Sequence, residues 1–157
     1  PTTGQCWSAS KGNGATLEEA DGRTRTLQVS DRASGDNLRM VITRSHPFDG
    51  IEEIQTALDL SDIAQIGSVG LKAGAITTDD ADLYVHVSKY TKEWDSCAPH
   101  AILKEAGGLM TDLDGNELTY NNENVFNSGG ILATNQAVHD DALNAVRPVA
   151  RSAGLIE

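Results

Sequence analysis

Three short stretches of this chain hold side chains whose types and spacing could do chemistry. The first, Thr91-Lys-Glu-Trp-Asp-Ser-Cys-Ala-Pro-His100, places Asp95 between a tryptophan and the opening of a short apolar helix expected over 98–106. Unpaired backbone N–H groups and the helix dipole favour negative charge there, so the carboxylate is expected to stay ionised. It reads either as a helix N-cap or as a ligand for a hard divalent cation such as magnesium. That ion takes one or two protein carboxylates and completes its shell with water and phosphate oxygens.

The second stretch, Gly67-Ser-Val-Gly-Leu-Lys72, follows an apolar run at 63–66 and precedes a short helix expected near 71–76. Glycines in a strand-to-helix turn let N–H groups approach an anion, while Ser68 adds a hydroxyl donor and Lys72 a point charge. The spacing is not that of a Walker A loop, so the stretch reads as a phosphate turn or as a simple connection. The third, Thr43-Arg-Ser-His-Pro47, follows an apolar run at 38–42. Ligands of α/β sheets gather beyond the carboxyl ends of strands, and this loop offers two hydroxyls, the Arg44 guanidinium and the His46 imidazole. Its other reading is a cap for the next helix, with Pro47 at the start. The sequence alone points to no role for His86, His100 and His139, which read as structural or surface residues, and Cys97 reads as a small buried residue of its helix.

The elements that must position these loops alternate. Strands are expected at 38–42, 63–66, 83–87, 109–112 and 130–134, with a further short one at 117–120 beyond the turn at Asp114-Gly115. Between them, Ile51, Ile54 and Leu58 carry helical spacing over 48–58, Gly107-Gly108 stops the helix after Asp95, and a closing helix is expected over 136–152. Residues 5–30 differ, because Gly12-Asn13-Gly14 and Asp21-Gly22 are hairpin cues in an antiparallel meander. The fold class is therefore α/β, a mixed sheet flanked by helices and preceded by antiparallel strands.

Composition narrows the function classes. A chain of 157 residues can bury one core without disulfides, and its two cysteines are too far apart for a zinc knuckle. A formal charge of −11 opposes binding to polymeric nucleic acid or anionic membranes, and also suits a protein kept soluble at high salt. No apolar run is long enough to span a bilayer and no leader pattern is present, so a cytoplasmic location is expected.

Taken in order, Thr43-Arg-Ser-His46, Gly67-Ser-Val-Gly-Leu-Lys72, Lys92-Glu-Trp-Asp-Ser-Cys-Ala-Pro99, Glu105-Ala-Gly-Gly108 and Thr111-Asp-Leu-Asp-Gly115 resemble the inositol monophosphatase superfamily, and within it the 3′(2′),5′-bisphosphate nucleotidases. The Trp-Asp followed by Ala-Pro, an apolar helix and Gly-Gly is that superfamily's second signature. The resemblance also implies a gap. The family's first metal segment, a glutamate and then Asp-Pro-Leu/Ile-Asp-Gly-Thr, has no counterpart here, since His46-Pro-Phe-Asp-Gly50 lacks the first aspartate and the threonine. The chain thus looks like a C-terminal half: residues 1–36 would be strands of the family's N-terminal domain and residues 37–157 the C-terminal α/β domain.

By this likeness Asp95 is the metal ligand, Thr43 and His46 contact the nucleoside and its phosphate, Ser68 lines the nucleotide pocket and Lys72 pairs with a phosphate. The implied activity is magnesium-dependent, lithium-sensitive hydrolysis of adenosine 3′,5′-bisphosphate to AMP and phosphate, without a covalent intermediate. Two alternatives stand beside it: an inositol monophosphatase, and an incomplete half that only binds ligand or partner. With most metal ligands absent, the isolated chain is expected to be inactive. It is also expected to self-associate or to pair with the missing half.

Overall fold

The computed structural model describes residues 2–45 and 47–157. Its strands and helices, in chain order, are β1 (Cys6–Ala9), β2 (Ala15–Glu18), β3 (Thr24–Leu27), β4 (Arg39–Thr43), α1 (Ile51–Leu58), β5 (Asp62–Ile66), α2 (Val69–Thr77), β6 (Leu83–His86), α3 (Glu93–Glu105), β7 (Leu109–Thr111), β8 (Ile131–Thr134) and α4 (His139–Ser152). They form two sheets, an antiparallel β1-β2-β3 and a mixed sheet in the order β5-β4-β6-β8-β7. In the mixed sheet β4 pairs in parallel with β5 and β6, while β8 runs antiparallel to β6 and β7.

Helices cover both faces of the mixed sheet. Met40, Ile42, Leu83, Val85 and Leu132 pack with Ile54 and Leu58 of α1 and Val146 and Val149 of α4. Val41, Tyr84, Ile131 and Ala133 pack with Ala73 and Ile76 of α2 and Leu103 of α3. A strand covered twice must be apolar at successive positions, which is why Met40-Val41-Ile42 is a continuous buried run. The helical spacing of Ile51, Ile54 and Leu58 is realised in α1, with Ile54 and Leu58 buried. Among the described residues, no helix is long and apolar enough to cross a membrane.

The meander is docked on α3. Glu105, the last residue of α3, accepts the N–H groups of Gly12 and Gly14 at 3.0 Å, and the Val29 N–H donates to the Ala106 carbonyl at 3.0 Å. Ala15, Leu17 and Leu27 complete a small core against Ala106 and Ile102. At the same end of α3, Gly107 has a φ of 90°, and a methyl group on Gly108 would lie 2.6 Å from the Thr134 carbonyl oxygen. The pair that stops the helix also lets it lie close to β8.

Several element boundaries differ from those expected. Helix α1 begins at Ile51 rather than 48, because Gly50 enters it with a φ of 99°; a Cβ there would meet Val149 Cγ1 at 2.6 Å. Pro47 therefore does not start this helix. Helix α4 begins at His139, after Gln136 takes a φ of 75°. Residues 117–120 form no strand: Glu117 makes a lone bridge to Thr111 and pairs with Lys104 at 3.1 Å, and the Tyr120 hydroxyl lies 2.8 Å from His100 Nδ1.

Candidate functional site

Parallel pairing sets the site at one edge of the mixed sheet. Strands β4, β5 and β6 end on the same side, and the register Thr43↔Ile66 sets the loop after β4 beside the turn after β5. A methyl group on Gly67 would lie 3.7 Å from Arg44 Nη2, so the guanidinium is next to that turn. Thr43 is half-buried, whereas Arg44 and Ser68 are exposed. His46 lies outside the described residues.

Ser68 leads into α2 with φ 62° and ψ 139°, a conformation rare for a residue with a side chain, and its hydroxyl makes no cap bond. The first N–H groups of α2 are thus left uncapped by that side chain. Gly70 belongs to α2 itself, which leaves Gly67 and Ser68 as the turn.

Lys72, three residues into α2 from Val69, is only 3% exposed. Its ammonium lies 4.7 Å from the centre of the Tyr84 ring, and no described carboxylate forms an ion pair with it. Burial pushes its pKa down to about 8. An anion brought to this group would favour the charged form further.

Asp95 is the third residue of α3, so the N-cap reading is corrected. The N-cap is Lys92, in extended backbone with φ −116° and ψ 161°; its side chain carries no acceptor. Asp95 Oδ2 instead reaches back to accept the Lys92 N–H at 3.0 Å, the returning half of a capping box. Pro99, four residues on, has no N–H, so the Asp95 carbonyl loses its usual helical donor. The carboxylate is exposed, and its charge reaches Tyr84: burial first, then Asp95, pushes the phenol pKa up.

Among the described residues, no three His, Cys, Asp or Glu side chains come together as a metal site. A lone carboxylate such as Asp95 could take one position around a divalent cation and would leave the rest of its shell unfilled.

Other residues take roles that spacing did not reveal. Glu93 pins the loop beside α3 by accepting from the N–H groups of Asn121 at 2.7 Å and Asn122 at 3.0 Å, and these bonds hold its carboxyl below the usual range. Tyr84, in the middle of β6, is fully buried with a hydroxyl that has no partner among the described residues. Cys97 is exposed rather than buried, because α3 turns Ser96, His100 and Leu103 inward and Cys97 away. His100 and His139 do have partners: Tyr120 for the first, and Thr134 Oγ1 at 2.9 Å for the second. Burial lowers both imidazole pKa values.

Comparison with known proteins identifies the family. The profile of the inositol monophosphatase family matches residues 1–150. A 3′(2′),5′-bisphosphate nucleotidase 1 of Mus musculus is 35% identical over 108 residues, covering 68% of this chain and 35% of its own length. An inositol monophosphatase 3 of Danio rerio is 38% identical over 125 residues, covering 75% of this chain and 36% of its own. The structure of an inositol monophosphatase from Anabaena (Nostoc) superposes with a TM-score of 0.71 at 26% identity, over 92% of this chain and 56% of that one. The chain thus spans about a third of the length of these curated relatives and about half of the solved structure.

Proposed function

The chain belongs to the inositol monophosphatase family, and from that premise we propose that it is the nucleotide-binding half of a magnesium-dependent phosphomonoesterase acting on 3′(2′),5′-bisphosphonucleotides such as adenosine 3′,5′-bisphosphate. Phosphatase activity is the shared character of the family and of the named relatives; substrate and metal are the finer steps of the reading. The observation that carries it is a division of charge at one edge of the sheet. Among the described residues, Lys72 is a buried cation without a carboxylate, suited to a phosphate, while Asp95 is an exposed carboxylate without a cation, suited to a metal.

Thr43 and His46 take the nucleoside and its phosphate, Ser68 lines the pocket, and Lys72 receives a phosphate. Asp95 supplies one magnesium ligand, and the remaining carboxylates come from the family's N-terminal half, to which we assign the strands of residues 1–36. Bound there, the ion supplies charge neutralisation and an activated water for hydrolysis. The chain's own residues hold and orient the nucleotide. Its one-third coverage of the curated relatives supports an incomplete site, and hence pairing with the missing half or self-association.

The test is phosphate release from adenosine 3′,5′-bisphosphate by the 157-residue chain with magnesium, with chelator and with lithium. No turnover alone, and magnesium-dependent turnover once the N-terminal half of a relative is added, is the expected result. Magnesium-dependent turnover by the isolated chain would contradict the incomplete site, and preference of the completed enzyme for an inositol phosphate would overturn the nucleotide reading.

A further inference from the structure

Tyr84 lies beneath the buried cation of the site. It lies at the centre of β6, register-paired with Val41, on the sheet face covered by α2 and α3. One face of its ring receives the Lys72 ammonium from α2, at 4.7 Å from the ring centre. A cation over an aromatic ring is held electrostatically, more strongly when water is excluded, and here both residues are buried.

The hydroxyl of Tyr84 is fully buried and has no hydrogen-bond partner among the described residues. Leaving a buried hydroxyl unpaired is costly, and a phenylalanine would pack the same space without that cost. Burial keeps the phenol protonated, hence a donor. A donor on the same ring that seats an ammonium, neither with an acceptor among the described residues, suits an anion with several oxygens.

We propose that Tyr84 is a binding and positioning residue of the phosphate subsite: its ring seats the Lys72 ammonium, and its hydroxyl donates a second hydrogen bond to the phosphate that Lys72 receives. This rests on the reading of Lys72 as the phosphate's partner. The two parts of the side chain then have separable effects. Tyr84→Phe keeps the ring under Lys72 and removes only the donor, whereas Tyr84→Leu also removes the seat.

The probe is inorganic phosphate, titrated into the full chain and its variants, with the Lys72 side-chain nitrogen resonance as readout and thermal unfolding as control. Tyr84→Phe is expected to leave the phosphate-free Lys72 resonance unchanged and Tm equal or higher, while weakening phosphate binding roughly tenfold, the usual scale of one charge-assisted hydrogen bond. Tyr84→Leu is expected to move the Lys72 resonance before any phosphate is added. Equal phosphate affinity in wild type and Tyr84→Phe, with affinity lost in Lys72→Met, would overturn the role of Tyr84 and leave that of Lys72 standing. Phosphate binding unchanged by Lys72→Met, or absent from the wild-type chain, would overturn both. A fall in Tm for Tyr84→Phe would assign the hydroxyl to structure and likewise overturn the proposal.

Discussion

The two ends of the mixed sheet treat charge in opposite ways. At the amino end, before β4 and β6, Asp82 is fully buried yet accepts from Arg39 Nε at 3.2 Å, Arg32 Nη1 at 3.0 Å, the Arg39 N–H at 2.9 Å and Ser30 Oγ at 2.6 Å. Asp79 pairs with Arg32 and, at 2.8 Å, with Arg39. At the carboxyl end Lys72 has an aromatic ring for a partner and Asp95 a single backbone N–H. Charges that satisfy one another fasten the linker before β4 to the sheet. Charges kept apart remain available to a ligand.

The largest expected effect breaks the satisfied end. Asp82→Ala leaves Arg32 and Arg39 with Asp79 as their remaining carboxylate and opens a buried cavity, and loss of one partner from such a cluster costs about 3 kcal/mol. Chemical denaturation should read that loss, with phosphate affinity unchanged. The pH dependence follows the same cluster. Burial alone would raise the Asp82 pKa, but the Arg39, Ser30 and Arg32 hydrogen bonds outweigh it and hold the carboxyl below its ordinary range; Asp79 is held low chiefly by Arg32. Folded values below the unfolded one of about 4 stabilise the protein above that pH, and the stabilisation is lost as pH falls through the folded values. Asp82→Ala should remove most of this acid sensitivity.

The next effect sharpens the unsatisfied end. Lys72 titrates near 8 when folded, well below an ordinary lysine, so between about pH 8 and 10.4 the unfolded chain binds the extra proton. Wild-type stability should therefore rise across that window, by roughly 3 kcal/mol from this group. Lys72→Met should be more stable than wild type at neutral pH and lack the rise. Saturating phosphate should flatten the rise in wild type, because a bound anion lifts the Lys72 pKa. Its absence from the wild-type profile would mean that the ammonium is already paired.

The smallest stability effect belongs to Asp95→Asn. The amide oxygen can still accept the Lys92 N–H, so stability should change by less than about 1 kcal/mol. In the completed enzyme, magnesium-dependent turnover should fall at least a hundredfold, a loss on the scale of metal-assisted steps. Equal turnover would remove Asp95 from the metal site.

The carboxyl edge was legible in the sequence where local rules govern, whereas the ion-pair cluster at the amino end was not. The runs at 38–42 and 63–66 became parallel strands because both are apolar and bounded by loops, and parallel pairing then gathered Thr43, Arg44 and Ser68 at one edge. The N-terminus of α3 was misplaced because Lys92 is no capping residue. The cap is made in reverse by a carboxylate three positions inside the helix. Tyr84 was invisible because an aromatic residue in an apolar strand reads as core, and its contact with Lys72 depends on how α2 crosses the sheet. The partners of Glu93 and His100 lie in the irregular stretch 118–130, where no periodicity announces a contact.

The division of charge at the carboxyl edge is tested most directly by calorimetric titration of the 157-residue chain with adenosine 3′,5′-bisphosphate at about pH 8.5, in two buffers of different ionisation heat. Binding accompanied by proton uptake, absent in Lys72→Met and at least roughly tenfold tighter than binding of inositol 1-phosphate, is the predicted result. Equal affinity in Lys72→Met, or a preference for inositol 1-phosphate, would contradict the assignment of this half to nucleotide binding.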